Sequence, residues 1–102
     1  TKLPGVPLHA YPHLDGVQLG QFFAKLHDLG VYFRSCHLGN ILLLEDGNLG
    51  LIDVADTQFR RRALSAGERE RNFRHLRRIP RDRDRLDAIW DTFQQAYAKP
   101  SN

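Results

Sequence analysis

Between Asn40 and Asp53, two short apolar runs, Ile41-Leu42-Leu43-Leu44 and Leu49-Gly50-Leu51-Ile52, flank Asp46-Gly47-Asn48. Asp-Gly between such runs is among the strongest short-range signals for a β-hairpin, because glycine takes the positive φ that tight hairpin turns need. A hairpin returns the chain to where it began. The Asn40 carboxamide and the Asp53 carboxylate, 13 residues apart in sequence, are therefore expected together at its open end. Both are hard oxygen donors of the kind that suits Mg²⁺.

The flanking periodicity is helical. Val17, Leu19, Phe22, Phe23, Leu26 and Leu29 recur along one helix face, with Asp15 as the expected N-cap and Gly30 as the stop. Residues 31–40 follow neither period and read as a structured loop. Ser65-Ala66-Gly67-Glu68 is a capping box opening a second helix over 66–78, which Ile79-Pro80 ends. Asp82 or Asp84 is the expected cap of a third helix, whose stripe is Leu86, Ile89, Trp90, Phe93 and Tyr97. Pro4, Pro7 and Pro12 make residues 1–14 an extended lead-in over the surface, leaving 15–102 as one domain. The expected core is Phe22, Phe23, Leu26, Ile41, Leu43, Leu51, Phe73, Leu76, Leu86, Ile89, Trp90 and Phe93.

Composition narrows the setting. A length of 102 residues allows one small domain, and the missing initiator Met points to a piece of a longer chain. Cys36 is the only cysteine, which excludes an internal disulfide framework and fits the cytosol. The longest apolar run, Ile41 to Leu44, is far short of a membrane span, and the N-terminus has no secretory pattern. Charge is uneven: residues 1–59 carry a net −3, whereas residues 60–85 hold eleven arginines against four acids. Such a block is either a solvated face or a field for phosphates on lipid, nucleic acid or nucleotide.

Three stretches carry a resemblance: Leu26-His27-x-x-Gly30, then Phe33-Arg34-Ser35-Cys36-His37-Leu38-Gly39-Asn40, then Ile52-Asp53. In these the chain resembles the protein kinase-like superfamily. Within it, the match is to the bacterial small-molecule branch of aminoglycoside phosphotransferases and the heptose and Kdo kinases of the lipopolysaccharide core. That branch reads Leu-His-x-x-Gly, His-x-Asp-x-His-x-x-Asn and a hairpin ending in Ile-Asp. Residues 3–8 resemble the hinge that opens the C-terminal lobe, and the Arg-rich helix after Phe59 resembles the lipopolysaccharide kinases more than the aminoglycoside enzymes. The resemblance implies an α+β C-terminal-lobe fold of helix, loop, two-stranded hairpin and two helices. It implies Mg²⁺ and ATP, with Asn40 and Asp53 as metal and cofactor ligands and Ser35, His37 and Asp53 at the catalytic positions. The implied acceptor is a sugar or lipid-linked sugar. The implied place is the cytoplasm, peripheral to the inner membrane, with the Arg block towards an anionic surface.

Two departures matter. Phe33 stands where that branch has His, and Ser35 stands where it has the catalytic Asp. A neutral hydroxyl cannot act as a carboxylate, and losing a general base slows chemistry by roughly two to four orders of magnitude. The chain also holds no Gly-rich phosphate loop, no strand Lys and no paired helix Glu. The expectation is a fragment inactive by itself, from a parent that is a kinase. The rival is a non-catalytic pseudokinase module binding a nucleotide or protein partner. A second rival, an Arg-rich nucleic-acid binder, has no helix-turn-helix, zinc or RNA-binding motif behind it, so no specific nucleic acid is expected. Without the N-terminal lobe an interface face is left open, and self-association is expected.

Other residues have plainer readings. His27 is a satisfied core histidine, and Asp56 reads as a turn cap ahead of a substitute acid. Arg34 is an ion-pair partner or a phosphate ligand. His37, beside Ser35, supports the loop by hydrogen bonding; a Ser-His hydrolase lacks the strand-to-helix elbow it would need. His9, His13 and Cys36 form no metal pattern.

Overall fold

A computed structural model describes residues 5–8, 14–33, 37–44, 47–51 and 57–98. In chain order it runs β1 (Gly5–Pro7), α1 (Gly16–Asp28), β2 (Val31–Phe33), a 3-10 turn (Leu38–Asn40), β3 (Ile41–Leu44), β4 (Leu49–Leu51), β5 (Thr57–Phe59), α2 (Ala66–Leu76) and α3 (Pro80–Ala98). The class is α+β, as the sequence implies.

Local chemistry sets the first helix. The Asp15 carboxylate accepts from the Gln18 amide at 3.1 Å, satisfying one of the free N–H groups of the first turn. Leu19, Phe23 and His27, at four-residue steps, form its buried face. Gly30 ends it with φ +86°, and a Cβ there would lie 2.5 Å from the Arg62 carbonyl oxygen and 2.6 Å from that of Arg60. Only glycine fits that corner.

The hairpin forms as expected. Ile41 faces Leu51, Leu42 faces Gly50 and Leu43 faces Leu49. Gly47 takes φ +88° and donates to the Leu44 carbonyl at 3.0 Å, while the Leu44 amide donates to the Asn48 carbonyl at 2.8 Å. Within the lead-in, Gly5–Pro7 is an edge strand of a β1-β3-β4 sheet. Pro7 fits there because an edge strand can spare an amide donor. Leu8 just beyond it is buried, so the lead-in joins the core instead of only crossing the surface.

Three boundaries differ from the sequence reading. Residues 31–33, read as loop, are β2, paired antiparallel with β5 so that Val31 faces Phe59 and Phe33 faces Thr57. Helix α2 stops at Leu76 with Arg77 as its cap, not at 78. Helix α3 starts at Pro80, where a missing amide costs nothing, so neither Asp82 nor Asp84 caps it.

The core joins both sheets to the helices. Phe23, Phe33, Ile41, Leu76, Leu86 and Phe93 are fully buried, as are Leu19 and Leu38. The half-buried Phe22, Leu43, Leu51, Phe73, Ile89 and Trp90 pack on them; Leu26 stands outside this cluster. Phe73 centres an aromatic group, with its ring 4.9 Å from Tyr97, 5.4 Å from Phe93, 5.8 Å from Trp90 and 6.0 Å from Phe23. α1 lies close along α3 because Gly16 and Gly20 face it. A Cβ on Gly20 would collide with the Phe93 carbonyl and come within 3.1 Å of the Ala96 Cβ.

Candidate phosphoryl-transfer site

The segment between α1 and β3 is held from below by a chain of buried polar groups. Arg69 donates to the Tyr97 hydroxyl at 3.0 Å, and that hydroxyl meets His27 Nδ1 at 2.6 Å. His27 Nε2 meets the Asn72 carboxamide oxygen at 2.8 Å, and Asn72 Nδ2 donates to the Phe33 carbonyl at 2.7 Å. The Phe33 amide reaches back to the same Asn72 oxygen at 3.4 Å. One direction satisfies every group: Arg69 to Tyr97, Tyr97 to His27, His27 to Asn72, Asn72 to Phe33. It requires a neutral imidazole with its proton on Nε2. Burial holds His27 in that form, lowering its pKa from 6.5 to about 4, and the positive Arg69 pushes the same way against the Asn72 hydrogen bond. Burial also raises the Tyr97 pKa, which keeps the phenol protonated as a donor.

The result is a fixed backbone at Phe33, two residues before Ser35. The far side of the same loop is anchored by α3. Asp82, buried in the first turn of that helix, accepts from the Leu38 amide at 3.1 Å. His37 caps the 3-10 turn, its Nδ1 accepting from the Gly39 amide at 3.1 Å, and its carbonyl takes the Asn40 amide at 3.0 Å. Asn40 ends the turn, is 7% exposed, and leads directly into Ile41 of β3.

Of the residues singled out in the sequence, Asn40 and His37 are therefore side by side on one turn. Ser35, Asp53, Arg34, Cys36, Asp56, His9 and His13 lie outside the described residues. The register nevertheless bears on Asp53. Leu51, the last residue of β4, faces Ile41, so β4 ends where β3 begins and Asn40 precedes that point by one residue. Asp53 follows Leu51 by two residues. Asn40 thus stands at the open end of the hairpin. No group of three or more His, Cys, Asp or Glu side chains gathers for a metal among the described residues.

Sequence reasoning missed Asn72 and gave Asp82 the wrong task. A signal existed for the first: an asparagine, a weak helix former, sits one turn before Leu76 on the buried side of α2. Nothing local distinguishes Asp82 from Asp84. A cleft of about 610 Å³ lies towards the turn end of the hairpin, lined by Leu14, Leu19, Leu43, Leu49 and Ile89 together with the polar Asp15 and Gln18. Asn40, which immediately precedes the first residue of β3, does not line it.

A helix followed by a short turn and an antiparallel hairpin, backed by two further helices, is consistent with a C-terminal-lobe fragment of a kinase-like protein. The Lipopolysaccharide kinase (Kdo/WaaP) family model matches residues 13–97, and the chain belongs to that family. No curated protein matches it. No helix among the described residues is long and apolar enough to cross a membrane.

Proposed function

We propose that the protein carrying this chain transfers the γ-phosphoryl group of ATP to a hydroxyl of a lipopolysaccharide-core sugar, with Mg²⁺ between Asn40 and Asp53. The observation that carries the reading is the β3–β4 register, which returns the chain to Asn40 two residues before Asp53 in a member of a lipopolysaccharide kinase family. Asn40 and Asp53 would hold the magnesium ion, which would supply positive charge to offset that of the phosphates. The protein's own groups position. His37 holds the turn that presents Asn40, and the Asn72 clamp on Phe33 fixes the approach to Ser35.

Ser35 borders the acceptor hydroxyl and can accept its hydrogen bond without taking its proton. In a loose transition state that proton can leave late, to a phosphate oxygen, so a weak base at this position slows transfer without forbidding it. The Arg block of residues 60–85 faces the anionic sugar-phosphate or lipid, on the cytoplasmic side of the inner membrane. The 102 residues contain no Gly-rich loop or strand Lys for the phosphates, so transfer needs a segment that supplies them and this stretch by itself is inactive.

Ser35 favours one other reading, a pseudokinase that binds nucleotide without transfer. Phosphate transfer from ATP to isolated lipopolysaccharide core by the full-length protein separates the two. The expected result is transfer that is lost in Asp53→Ala and Asn40→Ala and rises by about two orders of magnitude in Ser35→Asp. Nucleotide binding without transfer, in wild type and Ser35→Asp alike, would put the pseudokinase reading first.

A further inference from the structure

The backbone amides of Leu38, Gly39 and Asn40 make up the 3-10 turn, and each has a named acceptor. His37 supplies two of the three: its Nδ1 takes the Gly39 amide at 3.1 Å and its carbonyl takes the Asn40 amide at 3.0 Å. The Leu38 amide, the first donor of the turn, has no partner within it. It donates instead to the Asp82 carboxylate at 3.1 Å, 44 residues away in the chain. His37 therefore fixes the shape of the turn, and Asp82 fixes where that shape sits in the molecule.

A buried carboxylate costs free energy that an apolar side chain in the same place would not. Asp82 is only 3% exposed, so its commitment to one backbone amide calls for a reason beyond packing. Its charge is tolerated in the first turn of α3, where the free amides of a helix N-terminus favour an anion. One helical turn on, Arg85 donates from the same face of α3 to the Leu8 carbonyl at 2.8 Å. Leu8 directly follows β1, and Pro7 of that strand faces Leu42 of β3. Arg85 thus holds the strand that lies beside the residues after Asn40. Leu8, Leu38 and Leu86 belong to one buried cluster, so apolar packing backs both tethers.

We propose that Asp82 and Arg85 are positioning residues for Asn40. Through this pair α3 sets the place of the Asn40 turn, and with it the fit of a cation at the open end of the hairpin. The consequence for a cation rests on the reading of Asn40 as a magnesium ligand; the tethers do not. Magnesium accepts little departure from octahedral geometry, so a small displacement of the turn is felt as lost affinity. Losing a group that orients a metal ligand costs about 10–100-fold in metal affinity or activity.

Amide hydrogen exchange of the full-length protein, followed by Mn²⁺ titration, tests it on Asp82→Ala, Asp82→Asn and Arg85→Ala. In Asp82→Ala, exchange at Leu38, Gly39 and Asn40 should accelerate about tenfold more than along the buried face of α1. Mn²⁺ affinity should fall about tenfold, while affinity for metal-free ATP stays as in wild type. Asp82→Asn keeps an oxygen that accepts from Leu38 and should recover both. Arg85→Ala should show the same pattern in smaller degree, and it carries the test if Asp82→Ala does not fold. Gly20→Ala disturbs α1 against Phe93 and Ala96, later in α3, and should raise exchange evenly without changing Mn²⁺ affinity. Even acceleration in Asp82→Ala, no recovery in Asp82→Asn, or the same selective loss in Gly20→Ala would each overturn the proposal. A wild type that holds no Mn²⁺ near Asn40 would refute the proposed function, and the exchange pattern alone would then uphold or overturn the positioning.

Discussion

At the scale of single residues, the most informative side chain is His27, which is 0% exposed and bonded through both ring nitrogens. Its expected role as a satisfied core histidine is what the fold shows. The directional chain it completes works only while the imidazole is neutral. In the folded state its pKa is about 4, against 6.5 when exposed, so between those values the unfolded chain binds the extra proton. Stability attributable to His27 is therefore complete above about pH 6.5 and declines as pH falls towards 4, by roughly 1.4 kcal/mol per pH unit and about 3 kcal/mol in total. Urea unfolding midpoints from pH 7 to 4.5 should drop more steeply in wild type than in His27→Gln, which has no proton to take up. Parallel curves for the two proteins would mean that His27 is not held neutral. His27 was legible because it sits at the spacing of an apolar face. Asn72 was not, because its role depends on the Phe33 backbone 39 residues away.

Among the elements, those written in local chemistry were readable. The Asp15 cap, the Ser65–Glu68 box and the positive-φ Gly47 each act within a few residues, and α1, α2 and the β3–β4 hairpin follow from them. The β2–β5 ribbon was not readable. Its strands are three residues each, and no turn sequence marks a pairing of Val31 with Phe59. The start of α3 was misplaced for a related reason: Asp82 looks like a cap locally, but its carboxylate is committed to Leu38 in another element. The packing of α1 on α3 rests on Gly20, which the sequence presents as an unremarkable helix glycine. Gly20→Ala should raise helix propensity yet destabilise the protein, because the added methyl meets the Phe93 carbonyl and forces the helices apart. Overpacking of this kind costs about 1–3 kcal/mol, against a propensity gain of about 1 kcal/mol or less. A denaturation midpoint at or above that of wild type would show that the helices have room to separate.

For the molecule as a whole, the two halves of the chain do different work. The first half builds the turn and hairpin that present Asn40; the second supplies the floor under it and most of the charge. Of the arginines in 60–85, several are structural. Arg69 lies in the His27 chain, Arg77 pairs with Asp87 and covers Trp90 at 4.4 Å, and Arg85 holds the Leu8 carbonyl at 2.8 Å. Arg61, Arg62, Arg71, Arg81 and Arg83 remain exposed and make no ion pair among the described residues. The positive field thus survives folding, though smaller than the sequence count implies. The central claim is that the hairpin's open end is a metal-nucleotide half-site. Mn²⁺ titration of isotope-labelled protein, read as paramagnetic broadening of backbone amides with and without ATP, tests it most directly. The predicted result is broadening confined to residues 38–42 and the end of β4, deepened by ATP and absent in Asp53→Ala. Broadening spread over exposed acids such as Asp84, Asp87 and Asp91, and indifferent to ATP, would contradict the claim.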